Sequence, residues 1–455
     1  MLLILAGEEY FTSSSCQPSL NLSSRVTPQL SEPLSVYAGV LIHMQVALAR
    51  PPSWYPGHMA AFAKALPSLL ANTNVVLEVR DSRLPLTSIN PALEKHLEEW
   101  RIGVSKAGVV REQIVVHTKK DLVPSWGEER LRRALSKHYK HLMHFTSPSS
   151  PPSIRALHST LVSLWEENAD KLTALNVLVV GMPNIGKSTL LNALRGVGTN
   201  ASSKNPLRTS PLPGYTRSLS TRLRLSSTHP IYSIDSPGIM IPFLGHGEEG
   251  KQRGIKLALI AGIKESLYDD EALAKYLIWR LWKDCPEWPA YNSLMHPTSS
   301  PHIILPDQGL QGVDTHAILE RLANRLKAVQ KGGFPDIDRA ASYLVRWWRA
   351  GNHHRSSDTR SSLYYPSNPP TPTPNLVRSW GFDFDFERPI ELKPLPSLED
   401  AGTDPIQIAM NEVVQKYIEK MGDQGGIGMS VSMTKRNELK ERKRRKVEKW
   451  KKGES

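Results

Sequence analysis

Cysteine is nearly absent: Cys16 and Cys285 are the only two in 455 residues, far apart and without a C-x-x-C spacing. That excludes a disulfide framework and fits a reducing compartment. Metal clusters are missing as well. The His138/His141/His144 group and His353-His354 have no Cys or acidic ligands beside them and read as surface or structural residues. No apolar run reaches the roughly eighteen residues that a membrane span needs. The best candidate, 36–49, is interrupted by His43 and Gln45. Acidic charge is in deficit, with 44 Asp and Glu against 57 Lys and Arg, a net of +13. Over half of that excess sits in residues 435–455, where eleven Lys or Arg face four Glu, a net of +7. A polyanionic partner is expected from such a run, and a solvated tail or all-round charged helix is its bland alternative.

What is present centres on Gly181-Met182-Pro183-Asn184-Ile185-Gly186-Lys187-Ser188-Thr189, which fits G-x-x-x-x-G-K-[ST]. A β-branched strand, 177–180, precedes it and an apolar-periodic helix follows. Backbone N–H groups and a helix N-terminus would therefore converge on one anion. Lys187 would reach the β- and γ-phosphates, and the Ser188 hydroxyl would take a Mg²⁺ position. Upstream, strands at 74–79, 113–117 and 141–145 alternate with helices at 92–100, 128–138 and 154–169. The alternation predicts an α/β fold, a mostly parallel sheet with helices on both faces.

Thr118-Lys119-Lys120-Asp121 ends the strand at 113–117, where a GTPase carries its base-reading motif. A carboxylate accepts hydrogen bonds from the N1–H and 2-amino group of guanine, a donor pair that adenine lacks, so Asp121 would select guanine. Lys119 would lay its stem along the base, and Thr118 stands where Asn is usual. Thr146-Ser147, after the next strand, is the natural second contact to the base. Downstream, the polar loop 204–215 ends in Pro213-Gly214-Tyr215-Thr216-Arg217, a segment able to order around a γ-phosphate and a Mg²⁺. After expected strands at 218–225 and 231–234, Asp235-Ser236-Pro237-Gly238 would supply a carboxylate for Mg²⁺ and, from Gly238, an N–H for the γ-phosphate. The order is the sharpest observation, because Asp121 precedes Gly181 by sixty residues while in ordinary switch GTPases it follows. The set is circularly permuted, and the chain continues just after the Asp235 region.

The rest divides by composition. Residues 1–50 read as a leader, a candidate mitochondrial targeting segment that is only partly matched by its two Arg and three Glu. The GTPase domain is expected over 51–250. A smaller α-helical domain follows over 251–351, with one helical stretch at 255–282 and two patterns within 315–350. Residues 352–404 read as a Pro/Ser-rich linker or insertion, and 405–455 as a helix and basic tail.

The permuted order, with Trp54-Tyr55-Pro56-Gly57-His58-Met59, Asp81-Ser82-Arg83-Leu84-Pro85-Leu86, the phosphate loop and Asp235-Ser236-Pro237-Gly238, resembles the YlqF/RbgA family of circularly permuted GTPases. The similarity runs over about 54–351 and includes Gly332-Gly333-Phe334-Pro335-Asp336. It implies a GTPase of large ribosomal subunit assembly whose helical domain contacts ribosomal RNA. In the organellar branch the place is the matrix side of the mitochondrial inner membrane. Ile239 occupies the position of the water-orienting glutamine of conventional switch GTPases, and the family's substitute is the histidine of the aromatic motif, here His58. Asn184 falls where such GTPases bind K⁺. A nucleotide-dependent scaffold at the inner membrane, and a nucleolar or cytosolic permuted GTPase, stay open as alternatives.

Overall fold

The structure, a computed structural model, describes residues 57–102, 110–199, 222–240, 244, 247–264, 267–285, 289–295, 314–351, 376–397 and 400–423, without the side chains of 57, 58, 60, 400, 401, 422 and 423. The leader 1–50, the loop with Thr216 and the basic run 435–455 lie outside the described residues.

Six strands form the central sheet: β1 (Val75–Asp81), β2 (Glu112–Thr118), β3 (Leu142–Phe145), β4 (Leu175–Gly181), β5 (Leu223–Arg224) and β6 (Ile231–Asp235). Their order is β3-β2-β1-β4-β6-β5, parallel throughout except for the antiparallel β5. The expected α/β class is therefore observed. Of the strand expected at 218–225, only Leu223–Arg224 is a strand among the described residues. Val76, Leu178 and Val180 project to one face, where they pack with Phe62, Leu66 and Leu70 of α1 (Gly57–Ala71) and Leu93, Leu97 and Trp100 of α2 (Pro91–Ile102). On the other face Leu77, Val79, Val177 and Val179 join a larger cluster with α4 (Pro151–Glu166) and α5 (Lys187–Thr199). Between β2 and β3 lies α3 (Trp126–Ser136).

Central β1 buries three charged residues, Glu78, Arg80 and Asp81, which is costly unless they are paired. Arg80 reaches Glu78 at 2.7 Å and Glu94 of α2 at 2.6 Å, and Gln113 donates to Glu78 at 2.8 Å. Burial, and then the Glu78 charge, raise the Glu94 carboxyl, with Arg80 opposing that rise.

The helical stretch expected at 255–282 is two helices, α6 (Gly247–Leu259) and α7 (Asp270–Asp284). Ala261 adopts φ 57°, its N–H donates to Ala258 O at 2.9 Å, and the Gly262 N–H donates to Leu257 O at 2.8 Å. This is a Schellman cap with Ala in the left-handed position that Gly usually takes. Asp269 then caps α7 by accepting from the Glu271 N–H. A short α8 (Asn292–Met295), α9 (Thr315–Arg325) and α10 (Ile337–Arg349) complete this region. Its buried side chains run on into the larger sheet cluster.

Within the stretch expected to be a linker, residues 376–391 form a hairpin, β7 (Leu376–Trp380) and β8 (Phe384–Glu391). Trp380, Phe382 and Phe384 are buried. The Trp380 indole donates to Pro124 O at 2.8 Å, and Phe382 N–H donates to Arg83 O at 2.8 Å. A linker or insertion was expected over 352–404, but these aromatics pack into the core of the sheet domain. The last described helix, α11 (Pro405–Asp423), lies on α3, where Asp404 pairs with the buried Arg130 at 2.7 Å.

Candidate guanine-nucleotide site

Parallel β4 delivers Gly181 beside the end of β1, where a Cβ on Gly181 would stand 2.4 Å from Val79 O at φ 143°. Only glycine fits that turn. Gly186 has φ 98°, and Asn184 sits in the left-handed region at φ 57°, which Asn tolerates. Lys187, at the first turn of α5, folds back so that Nζ donates to Gly181 O at 3.1 Å and Met182 O at 2.7 Å. Burial pushes its ammonium down to about 8, against the opposing pull of Asp235. Beside it the Ser188 hydroxyl donates to Asp235 Oδ2 at 2.7 Å. Burial raises the Asp235 carboxyl, and the Ser188 hydrogen bond and Lys187 oppose that rise. Thr189, next on α5, is exposed.

The turn after β6 lies on the phosphate loop. Ile239 N–H donates to Gly181 O at 3.0 Å, and a Cβ on Gly238 would stand 2.6 Å from Pro183 N. Ile239 itself is buried in the cluster formed with α1 and α2. It cannot orient water, and it anchors the turn instead.

The base-reading segment reaches the same loop from the far side. Thr118 donates to Ile185 O and lies 3.1 Å from Arg80 O, and a Cβ on Gly186 would be 3.7 Å from the Thr118 hydroxyl. Lys119, at φ 58°, donates to Asn184 O at 2.9 Å and to Asp81 at 2.8 Å. Asp121 is exposed on the 3-10 turn that follows. Thr146 is tied to this corner, its N–H donating to His117 O at 2.7 Å and its carbonyl accepting from Lys120 N–H at 3.2 Å. Ser147 is buried next to it, with its N–H on Ser153 Oγ at 3.2 Å. The structure thus brings Thr118, Lys119, Pro183, Asn184, Ile185, Gly186, Lys187, Ser188, Asp235 and Gly238 to one loop, with Thr146 and Ser147 at its base-side corner. Thr216 lies outside the described residues. His58 is in the first turn of α1, and its side chain lies outside them.

One pair was not singled out by role from the sequence. Asp81 accepts from Arg83 at 3.0 and 2.8 Å as well as from Lys119. Burial would raise its carboxyl, but Arg83 and Lys119 hold it well below the usual carboxylate range. The signal available was the Asp-x-Arg spacing at the end of a strand whose neighbour carries Thr118, since Asp81 and Thr118 are register partners. Arg83 also lies over the Trp348 ring at 4.7 Å, which connects the Lys119 brace to α10.

Residues 176–274 match the family model described as 50S ribosome-binding GTPase. The mitochondrial GTPase 1 of Schizosaccharomyces japonicus is 30% identical over 319 residues, 66% of this chain and 87% of that relative. This chain belongs to the mitochondrial GTPase 1 family. Another relative, the mitochondrial ribosome-associated GTPase 1 of Xenopus tropicalis, is 28% identical over 66% of this chain and 91% of its own length. GNP-bound YlqF from T. maritima aligns with 63% of this chain and 93% of its own at 20% identity, with a TM-score of 0.37. As a member of the mitochondrial GTPase 1 family the chain is an enzyme that hydrolyses GTP to GDP and phosphate. Its circularly permuted order is the one expected above.

Proposed function

We propose that this GTPase serves assembly of the mitochondrial large ribosomal subunit, on the matrix side of the inner membrane, with hydrolysis stimulated by the ribosomal particle. The observation that carries the nucleotide half of this reading is the bonding of Thr118 and Lys119 to Ile185 O and Asn184 O. It joins the base-reading segment to the phosphate loop despite the sixty residues between Asp121 and Gly181. Guanine would be read by Asp121, with Lys119 along the base and Thr146 and Ser147 behind it. The ribosomal half is supported by the names of the relatives, the 50S description of the family model and the basic run at 435–455.

The donor set suits a hard divalent cation, because a hydroxyl and a carboxylate meet at 2.7 Å in a buried corner that favours charge compensation. Ser188 and Asp235, with Thr216, would hold Mg²⁺, which when bound neutralises charge on the β- and γ-phosphates. K⁺ at the phosphate loop would be met by Asn184, which sits in the loop at φ 57° with its Nδ2 donating to Ala261 O at 2.9 Å. His58 would orient the attacking water. Its helix α1 packs on the cluster that buries Ile239, so the histidine and the residue it would replace are anchored by one set of side chains. The region 251–351 and the basic run would contact ribosomal RNA, with peripheral contact to the membrane. Among the described residues no helix is long and apolar enough to cross one.

The test is GTP turnover of the full chain with and without large mitochondrial subunits. Wild type is expected to accelerate with subunits, and His58→Ala to keep GTP affinity while losing the acceleration. No acceleration of wild type removes the ribosomal reading, and an accelerated His58→Ala removes the histidine from the mechanism. Retention on membranes after ribosome removal would favour the scaffold.

A further inference from the structure

Away from the phosphate loop, a cleft of about 270 Å³ opens between α6 and α11, closed at one end by the 86–87 turn and the hairpin. Each helix presents one face to it. On α6 that face is Glu249, Gln252, Arg253 and Lys256, and on α11 it is Val413, Lys416, Tyr417 and Lys420, both at i, i+3, i+4, i+7. The lining thus brings four cations against two carboxylates, a net of +2.

The carboxylates are already engaged. Asp383 accepts from Leu86 N–H at 2.9 Å, Thr87 N–H at 2.7 Å and the Thr87 hydroxyl at 2.6 Å, and pairs with Lys256 at 3.1 Å. Glu249 pairs with Lys420 at 2.5 Å. Lys416 has no hydrogen bond or ion pair among the described residues, and it is exposed. Arg253 spends one nitrogen on Leu244 O at 3.5 Å, a long contact, and holds its guanidinium 6.0 Å from the Tyr417 ring. A planar fork and a mobile ammonium from opposite walls suit a phosphate, for which Arg provides bidentate geometry and Lys a point charge. Tyr417 and Val413 offer an aromatic and an apolar surface beside those cations, the pairing with which nucleotides are held through base and backbone together.

We propose that this cleft binds a nucleotide unit, its phosphate between Arg253 and Lys416 and its base or sugar against Tyr417. The unit belongs to an RNA strand or to a free nucleotide, and the site is separate from the phosphate loop. The inference does not rest on the ribosomal reading.

The experiment uses the full chain saturated with GDP and Mg²⁺, so that the phosphate loop is occupied. Binding of a labelled ten-residue oligouridylate is followed by anisotropy at several salt concentrations, and binding of UMP by ligand-observed NMR. UMP is too small to engage the basic run 435–455 at the same time, so it isolates the cleft. Lys416→Glu and Arg253→Gln together are expected to weaken at least one ligand about tenfold. For the oligomer the salt slope should fall by about 0.7 per cation removed. The exposed Lys137→Glu beyond the end of α3, a charge change of −2 that Lys416→Glu alone matches, should leave both ligands unaffected, and unchanged GDP affinity shows that the variants fold. Which ligand responds identifies the source. The proposal is overturned if wild type binds neither ligand, if the cleft variants bind both as wild type does, or if Lys137→Glu costs as much as they do.

Discussion

Lys187 makes the nucleotide affinity of this protein depend on pH in a direction that can be worked out beforehand. Without a phosphate its ammonium is buried on two backbone carbonyls and titrates near 8, against an ordinary lysine value of 10.5. A bound polyphosphate is a close opposite charge and favours the charged form, so the titration returns upward on binding. The bound state therefore holds more protons than the free state, and affinity falls as pH rises through the window between the two values. If binding restores the ordinary lysine value of 10.5 from about 8, affinity at pH 9 is about tenfold below that at pH 7, and binding takes up about three-quarters of a proton at pH 8.5 but under a tenth at pH 7. Calorimetry of GDP binding at both pH values, in two buffers of different ionisation enthalpy, measures that uptake directly. Equal heats in the two buffers at pH 8.5 would refute the reasoning, for they would mean that Lys187 is fully charged before the phosphate arrives.

Two further outcomes concern the base reader and the seating of the hairpin. Asp121→Asn should shift preference from guanine toward xanthine nucleotides, because an amide can donate where the carboxylate only accepts; competition binding with GTP and XTP checks it, and retained guanine preference would show that Asp121 is not the reader. Gly127→Ala places a Cβ 2.1 Å from Trp380 Nε1, forcing the indole off Pro124 O. Overpacking and an orphaned N–H together cost about 2–5 kcal/mol, which should lower Tm by on the order of 5–10 °C. An unchanged melt would mean that the hairpin is not seated on α3.

How much of this was legible varies with how local the cause is. The parallel sheet could be read because β-branched runs such as Val177–Val180 alternate with amphipathic helices, a pattern set by neighbours in sequence. The phosphate loop and Thr118–Asp121 could be read because glycine spacing and side-chain chemistry are local too. What escaped depends on distant partners. Trp380 and Phe382 look like linker residues until Pro124 and Arg83, more than 250 residues earlier, receive them. The end of α6 was hidden because Ala261 stands where glycine would have announced a cap. Asp81 and Arg83 were visible as a motif, but their bracing of Lys119 needs the β1–β2 register that only the sheet supplies.

The seating of α11 on α3 has a consequence for timing. The buried Arg130 guanidinium has its carboxylate partner only once Asp404 reaches it, and Gln407 then donates to the Arg130 carbonyl at 3.0 Å, contacts that span 274 and 277 positions of chain. A chain emerging N-terminus first would expose α3 long before the helix that packs on it exists. The helix that follows the guanine reader therefore reaches its final packing only after Asp404 and Gln407 have been made, more than 270 residues later in the chain.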